Sequence, residues 1–299
     1  MSKRITFIMA VNRVLATLVV IFCSTAVVAG ELSWTGSGIS KNAFMTEMAS
    51  AYEEKTGIAI ILSGGGATKG IRAVSAGNSD LGGSCRHWLK GVNGDVHPEE
   101  TEAELVQVAW DALVVIVHPG NSVNNISMDQ LKQVYQGKIS NWSELEGENK
   151  RIGLVTRDGK NSGVGYMMRH WVFGNPNYEF EARGLKVKST GPLEKKVESV
   201  KTALAVDGIS SAKRREVKFL ALDGVEPTIE NISSGSYALY RPLYLAINRT
   251  KASKTAHEFI DFILSDEGQD IISKQGTVNL SKGAALKPLW DAKKASIGL

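Results

Sequence analysis

The pattern of apolar and polar positions predicts alternating strands and helices from about residue 30 onward. Short apolar runs followed by small or polar residues predict three strands, at 32–35, 58–62 and 80–83. Between the first two runs, apolar side chains recur at the helical spacing i, i+4, i+7 and i+8, at Phe44, Met48, Ala51 and Tyr52. A second helix is predicted through Ile71 and Val74. The order β-α-β-α-β indicates an α/β fold, with a parallel sheet and helices on its faces.

Two long apolar runs divide the rest of the chain. The run at 105–117 is long enough to cross between lobes, and the run at 241–248 is interpreted as the return crossing. We therefore predict a discontinuous first lobe, residues 30–118 plus 239–299, and a second lobe, residues 119–238. Each lobe is expected to be a mostly parallel sheet flanked by helices, and the two crossings form a hinge.

Helix signals are visible in both predicted lobes. Ser127 is a plausible N-cap for a helix at 128–135, and Gly137 ends that helix. A further helix is predicted at 193–205, running into residues 206–211. The spacing of Ala256, Phe259, Ile260, Ile263 and Leu264 predicts another near the end of the chain. The tryptophans Trp34, Trp142 and Trp171 are interpreted as core or hinge packing rather than ligand platforms.

Residues 1–29 have the pattern of a secretory signal peptide. Lys3, Arg4 and Arg13 precede an apolar run at 15–28 that ends in small residues, which predicts cleavage after Ala29. The run is short for a membrane span and polar residues follow it at once, although an uncleaved anchor remains the alternative.

Charge and cysteine content narrow the function further. The 299-residue chain has a formal net charge of +4, and the three basic residues of the predicted signal peptide supply three of those units. The remainder is close to neutral, which gives no electrostatic argument for nucleic acid or membrane binding. Cleavage would remove Cys23 and leave Cys85 alone, so no internal disulfide is possible. The five histidines lack metal-ligand spacing, and no metal or other cofactor is expected.

The candidate chemistry centres on residues 155–168. An apolar approach leads into Arg157 and Asp158, and a polar turn then leads into Ser162, which opens a helix-like run to residue 173. A guanidinium fork, a hydroxyl donor and the free N–H groups of a helix start together suit an anion. The alternative is a surface strand–turn–helix with a solvated arginine.

Three polar loops, at 37–40, 64–68 and 84–86, follow the first three predicted strands. In open parallel sheets ligands bind beyond the carboxyl ends of strands. The glycine-rich loop matches neither a Walker A motif nor a dinucleotide fingerprint, which leaves an anion cradle or a structural turn. Cys85 stands beside Arg86 and His87, and neighbouring cations can activate a thiol. No base or orienting partner is indicated for it, so an enzyme is not expected.

Seven motifs occur in order along the chain. They are TGSGIS at 35–40, GGGATKGI at 64–71, SDLGGSCR at 79–86, ISMDQLKQVYQGKISNWSEL at 126–145, RDGKNSGV at 157–164, YALYRPLYLAIN at 237–248 and FIDFILSDEGQDIISKQG at 259–276. Their order resembles that of the periplasmic phosphate-binding proteins, the substrate-binding subunits of phosphate ABC transporters. The resemblance runs from Trp34 nearly to the end. It implies a two-lobed, type II periplasmic binding protein that closes on an oxyanion.

The resemblance also implies a ligand site, residue by residue. Ser40 stands where the family has a threonine or serine donor, and Ala67 and Thr68 stand where it favours a serine pair. The Arg-x-x-Gly-Ser-Gly-Thr pattern matches at Arg157, with one extra residue before Ser162. The candidate ligand-binding residues are Ser37, Gly38, Ile39, Ser40, Ala67, Thr68, Ser84, Cys85, Arg86, Arg157, Asp158, Ser162, Gly163 and Val164.

Three departures from the family pattern bear on the ligand. Cys85 stands where the family often has an aspartate, although another branch has Ser-Ser-Arg at this place, and a carboxylate there could accept the proton of hydrogen phosphate and so reject sulfate. That acceptor is either absent here or supplied from elsewhere, with Asp158 as the candidate. Ala67 and Val164 lack hydroxyl donors, each worth on the order of 1 kcal/mol unless backbone or water replaces them.

The expected function is that of a monomeric periplasmic receptor that captures inorganic phosphate and delivers it to the membrane permease of an ABC transporter. Two alternatives remain open. One is a receptor for another oxyanion, such as sulfate or molybdate, and the other is a sensor or structural family member with a degenerate site.

Overall fold

The computed structural model describes residues 30–296. The predicted signal peptide, residues 1–29, lies outside this range. Within it, none of the helices combines the length and the apolar character that crossing a membrane requires.

The first part of the chain has the predicted alternation of strands and helices. Its elements are β1 (Glu31–Gly36), α1 (Gly38–Ser40), α2 (Thr46–Thr56), β2 (Ala59–Gly64), α3 (Gly66–Ser75) and β3 (Leu81–Ser84). A π-helical turn at Lys41–Met45 joins α1 to α2 into one continuous helical segment. Strand β1 pairs in parallel with both β2 and β3, so the carboxyl ends of all three meet at one edge of the sheet.

The helical segment begins earlier than the sequence suggested. Residues 36–40 were predicted to form a turn, but α1 already starts at Gly38. The reason is a side-chain cap, because the Ser37 hydroxyl oxygen accepts a hydrogen bond from the Ser40 N–H at 3.0 Å. The first polar loop is thereby shortened to a helix N-terminus.

A second alternation follows the long strand β4 (Ala103–Val117). Its elements are β5 (Asn125–Ile126), α4 (Met128–Gln136), β6 (Gly153–Arg157), α5 (Gly163–Phe173), β7 (Leu185–Val187), α6 (Thr190–Ser199) and β8 (Ala203–Gly208). Strand β6 pairs in parallel with β7 and β8. Helix α4 has the predicted Ser127 cap, and Gly137 ends it in the left-handed conformation.

The remaining elements return the chain to the first sheet. They are α7 (Ile209–Ala212), β9 (Lys218–Phe219), β10 (Ala221–Leu222), α8 (Ile229–Ser234), β11 (Tyr240–Asn248), α9 (Lys254–Leu264), α10 (Asp266–Lys274) and α11 (Leu286–Ser296). Strand β11 lies antiparallel between β3 and β4. The short strands β5 and β10 pair with each other in a separate sheet.

Strand β4 joins the two halves of the structure. Its residues 103–112 pair with β11, and its residues 113–117 pair with β8. The strand order is therefore β2-β1-β3-β11-β4-β8-β6-β7, with β9 also on β4. The first half ends with β4 and β11, and the second half begins with the other end of β4. The predicted α/β fold with mostly parallel, helix-flanked sheets is confirmed.

The helix predicted at 193–205 is wrong in its second half. Helix α6 ends at Ser199, Val200 is extended, and Ala203 already belongs to β8. Every residue of β8 is buried, so this strand is apolar without alternation, and its sequence alone does not distinguish it from a buried helix. Pairing with β4 and β6 decides in favour of the strand. The correction places Asp207 and Gly208 at a strand's carboxyl end.

The three tryptophans interpreted as packing residues are buried. Trp34 has no exposed surface, and its ring lies against the backbone of Gly36 and Gly83 on the adjoining strand. Trp142 and Trp171 are also buried, in the second half of the structure. Glycine at 36 and 83 is required because only hydrogen leaves room for the Trp34 indole.

We predict that Gly83→Ala destabilises the fold. A Cβ atom at this position would lie 2.1 Å from Trp34 Cζ2, and a buried indole has nowhere to move. The expected loss in the free energy of unfolding is about 1–3 kcal/mol, measured by urea denaturation. Gly191→Ala is the matched control, because a Cβ there meets no atom within 4 Å. A Gly83→Ala protein as stable as that control would contradict the packing described.

Candidate functional site

Four helices begin around one cavity of about 390 Å³. Helices α1 and α3 follow β1 and β2 in the first half, whereas α5 and α6 follow β6 and β7 in the second. The cavity is lined by Ser37, Gly38, Ile39, Gly64, Gly65, Gly66, Ala67, Cys85, Arg157, Gly163, Val164, Lys188, Ser189, Thr190 and Gly191. Because first-turn N–H groups lack partners within the helix and lie at the positive end of its dipole, this cavity favours an anion.

Side-chain caps use only part of this donor capacity. Ser37 and Ser162 each accept one bond, from the N–H of Ser40 and Gly165 respectively, both at 3.0 Å. Helices α3 and α6 start after Gly65 and Ser189 without a side-chain cap. The first-turn N–H groups that no cap engages are the donors available to a ligand.

Glycine allows the chain to turn sharply from β2 into α3. Gly66 has a φ of +88°, a conformation that residues with a side chain rarely adopt. The glycine-rich loop therefore brings the start of α3 to the end of β1 and β2. The sequence left two interpretations of this loop open, an anion cradle or a structural turn. In the structure the loop forms the turn, and it also lines the cavity.

Arg157 ends β6 and lines the cavity, as Lys188 does. Its Nη1 donates to Thr190 Oγ1 at 3.0 Å and its Nη2 to the Lys188 carbonyl oxygen at 2.8 Å, while Nε is buried without a partner. Neither acceptor is a carboxylate. Burial lowers the pKa of this guanidinium, and the charge of Asp207 acts in the opposite direction. A charged group so placed is stabilised by any anion that enters.

Arg86 is not among the residues that line the cavity, and its charge is paired with a carboxylate. Its Nη2 and Nη1 donate to the two carboxylate oxygens of Glu100 at 2.7 and 3.0 Å, and neither side chain is exposed. Burial would raise the pKa of Glu100, but hydrogen bonding and charge from Arg86 outweigh it and lower that pKa. Arg86 also donates to Thr68 Oγ1 at 3.0 Å, so it holds the second loop in place.

Cys85, Ala67 and Gly163 pack against one another where the two halves meet. A Cβ atom at Gly163 would lie 2.4 Å from Cys85 Sγ and 3.0 Å from Ala67 Cβ. Cys85 is a free thiol and is buried. Its small side chain lets the start of α5 approach the third loop closely.

The other predicted site residues lie around or beneath this cavity. Ser40 has no exposed surface, and its hydroxyl is 2.9 Å from that of Ser37. Ser84 is also buried, and it bonds the backbone of Arg86. Thr68, Asp158 and Ser162 line an adjoining outer cavity of about 400 Å³, where Asp158 is exposed. Thr68 Oγ1 donates to the Asn161 carbonyl oxygen across the two halves.

Sequence reasoning missed a layer of buried polar residues next to the cavity. Arg241 donates through Nε and Nη2 to Asp111 Oδ2 at 3.1 and 2.8 Å, and its Nη1 has no partner. Ser210 bonds the other oxygen of Asp111. Gly208 links this pair to the cavity, because a Cβ atom at this position would meet both Arg241 Nη2 at 2.5 Å and Ile39 Cδ1 at 2.8 Å. The sequence signal that could have revealed this pair was Arg241, a charged residue inside the apolar motif at 237–248.

Asp207 was missed because β8 was not recognised as a strand, and Thr190, the first residue of α6, lies before the helix predicted at 193–205. Thr190 lines the cavity and joins Arg157 to Asp207, whose Oδ1 lies 3.4 Å from its hydroxyl. Burial and then the charge of Glu194 raise the pKa of Asp207 to about 8, although Arg157 opposes this. A carboxyl group in a strand that is otherwise apolar was the available signal.

No group of three or more histidine, cysteine, aspartate or glutamate side chains is placed to hold a metal ion in the part of the chain that the structure describes. The arrangement around Arg157 is that of a binding site, with hydrogen-bond donors facing a shared space.

Comparison with known proteins identifies similar chains. The model of the PBP superfamily domain matches residues 24–267. The phosphate-binding protein PstS of Bacillus subtilis strain 168 is 28% identical over 256 residues, which cover 83% of this chain and 80% of that protein. Its counterpart from Borreliella burgdorferi is 29% identical over 195 residues, covering 62% and 70%. A Clostridium perfringens protein assigned to a phosphate ABC transporter as its substrate-binding protein, and crystallised with bound phosphate, superposes with a TM-score of 0.72. It is 28% identical, and the match covers 84% of this chain and 99% of that one.

We predict that Gly163→Ala strains the contact between α5 and the third loop. The new methyl group would overlap Cys85 Sγ, and the expected cost is about 1–3 kcal/mol in the free energy of unfolding. In a Cys85→Ala background the overlapping sulfur is gone, so the same change is expected to cost at least about 1 kcal/mol less. A double-mutant cycle in urea measures this coupling. Additive effects would show that the two residues do not touch.

Proposed function

Because the chain belongs to the PBP superfamily, we propose that it is a substrate-binding protein that captures inorganic phosphate and delivers it to an ABC transporter. The relatives named as phosphate-binding proteins and the C. perfringens neighbour with bound phosphate support the choice of ligand. Its activity is binding and release rather than catalysis.

One observation carries the proposal. Four helix N-termini, two from each half of the sheet, meet in a single cavity around an arginine that no carboxylate neutralises. Apolar ligands gain nothing from such donors, and a cation would be repelled by Arg157 and by the helix dipoles. An oxyanion with several acceptor oxygens satisfies the arginine and the N–H groups together.

The predicted residues divide into two roles in this proposal. Arg157 binds the anion through its guanidinium. Hydroxyl groups and first-turn N–H groups around the cavity donate further hydrogen bonds to the anion. The backbone donors are at Gly38, Ile39, Ala67, Thr68, Gly163 and Val164, with those of Thr190 and Gly191 added from the structure. Ser84 and Arg86 position the loops instead, since their polar groups bond within the protein.

Closure follows from the position of the cavity between the two halves. We assign residues 30–118 plus 239–299 to one lobe and residues 119–238 to the other, with β4 and the entry to β11 as the hinge. An anion that contacts helices of both lobes binds the closed form better than the open one, and so shifts the population toward closure. A closed lobe pair is then the form that a membrane permease would recognise.

The same proposal places the protein in the periplasm. Residues 1–29 act as a cleaved signal peptide, and the mature chain works as a soluble monomer beside its membrane permease. A lone buried Cys85 needs no disulfide-forming machinery after export.

A receptor for another oxyanion is the second candidate, and one observation favours it. Cys85 lines the cavity where the phosphate-binding family often has an aspartate. Without a carboxylate at that position, fully ionised sulfate or molybdate meets no repulsion there.

Calorimetric titration distinguishes these candidates. The chain without residues 1–29 is unfolded, dialysed free of anion and refolded, and then titrated with phosphate, sulfate and molybdate. The proposal predicts that phosphate binds and that excess sulfate does not displace it. Binding of sulfate or molybdate alone would establish the second candidate, and no binding of any of the three would refute an oxyanion receptor.

We predict that Arg157→Ala weakens phosphate binding by about tenfold to a few hundredfold. A hydrogen bond to a charged group contributes about 1.5–3 kcal/mol, and this arginine offers more than one. Arg157→Lys keeps the charge but loses the planar fork, so its affinity should be intermediate. Arg183→Ala, at an exposed arginine in the same half, is the matched control. Unchanged affinity in Arg157→Ala would refute the site.

A further inference from the structure

Asp207 is a buried carboxyl group with an unused oxygen. It is the penultimate residue of strand β8 and has no exposed surface. Its Oδ1 accepts the N–H of Gly208 at 2.9 Å and lies 3.4 Å from Thr190 Oγ1, whereas its Oδ2 is buried without a partner. A buried ionised oxygen without a hydrogen bond is costly, so the geometry fits a carboxyl that carries a proton there.

Thr190 connects this carboxyl to the anion cavity. Its hydroxyl oxygen accepts from Arg157 Nη1 at 3.0 Å, and Thr190 itself lines the cavity. Asp207 therefore lies behind Arg157, one side chain away from the space that the anion occupies. The exposed Asp158, the carboxyl suggested by sequence, has no such position.

Charged and titratable groups face Asp207 from four elements. Glu194 of α6 is buried and pairs with Arg215, and it repels a second negative charge. Arg157 of β6 and Arg241 of β11 attract one, although Asp111 already holds the charge of Arg241. Tyr135 of α4 is buried within electrostatic range. Among these groups that face Asp207, Arg157 is thus the one cation without an ionised partner. An anion in the cavity would compete with an ionised Asp207 for the Arg157 guanidinium.

We infer that Asp207 is a positioning residue that takes up a proton when an anion binds Arg157 and that, when ionised, competes with the anion for this guanidinium. The inference rests on the proposed function. A bound anion neutralises Arg157 and adds negative charge nearby, and both effects favour the protonated carboxyl. A bound anion therefore raises the proton affinity of Asp207 by some factor. By linkage, the loss of that proton must lower the affinity for the anion by the same factor.

The sign of the pH dependence follows from the state of Asp207. Burial, with the charge of Glu194, raises the pKa of Asp207 to about 8 in the free protein. Below this pH the carboxyl is neutral and Arg157 is available to the anion. Above it Asp207 ionises and pairs with Arg157, so affinity falls as pH rises.

The first test compares phosphate affinity in the wild type and in Asp207→Asn by calorimetry. Asparagine has the same shape and cannot ionise. Between about pH 7 and about pH 9.5 the wild type is expected to lose about tenfold more affinity than the variant, since each pKa unit of coupling is a factor of ten. The ionisation of phosphate itself cancels in this ratio. Asp261→Asn, at an exposed aspartate on α9, is the matched control and is expected to show the same pH dependence of phosphate affinity as the wild type.

A second variant separates titration from a structural role. Glu194→Gln removes the charge that repels an ionised Asp207, so its loss of affinity should begin at a lower pH than in the wild type. A substitution that merely disturbed packing would weaken binding at every pH and leave the profile where it was.

Carbon-13 NMR of the wild type gives a direct reading that needs no folded variant. The Asp207 carboxyl resonance is expected to titrate near pH 8 in the free protein, and at higher pH with saturating phosphate. A resonance that shows an ionised carboxyl throughout the neutral range, both in the free protein and with saturating phosphate, would overturn the inference. So would parallel pH profiles for wild type and Asp207→Asn when both bind phosphate. A wild type that binds no phosphate at all would instead overturn the proposed function, and the inference with it.

Discussion

The constraint on which the site depends is an uncompensated positive charge in a half-buried position. Arg157 contacts a hydroxyl and a carbonyl oxygen but no ionised carboxylate, and four helix N-termini surround it. Positive potential of this kind costs free energy in the empty protein, because both the guanidinium and the N–H groups lose water without gaining a full set of partners. Under the proposed function, an anion that enters would remove this cost, and its contacts with both halves would favour their closure.

Two other buried arginines show the contrast. Arg86 is held by Glu100, and Arg241 is held by Asp111, each through two hydrogen bonds and with both side chains inaccessible. Removing one partner from such a pair leaves a buried charge alone, which typically costs about 3–5 kcal/mol. These pairs therefore fix the third loop and the strands β4 and β11 in place, whereas Arg157 has no carboxylate partner of this kind.

Local sequence signals were enough to predict much of this arrangement. The apolar approach to Arg157, the Ser162 cap and the run to residue 173 correspond to β6, the cap and α5 as the structure has them. The role of Arg86 was not visible, because its partner Glu100 is separated from it by a loop whose path no local pattern fixes. Asp207 was hidden for a different reason: a fully buried strand has no alternation, and only its pairing with β4 and β6 distinguishes it from a helix.

The most direct measurement is a crystal structure of the protein with bound phosphate. The account predicts phosphate in the cavity between the two halves, with its oxygens on the Arg157 guanidinium and on first-turn N–H groups of helices from both halves. Phosphate held only in the outer cavity, which Lys160 and Lys188 also line, without contact to Arg157, would contradict it.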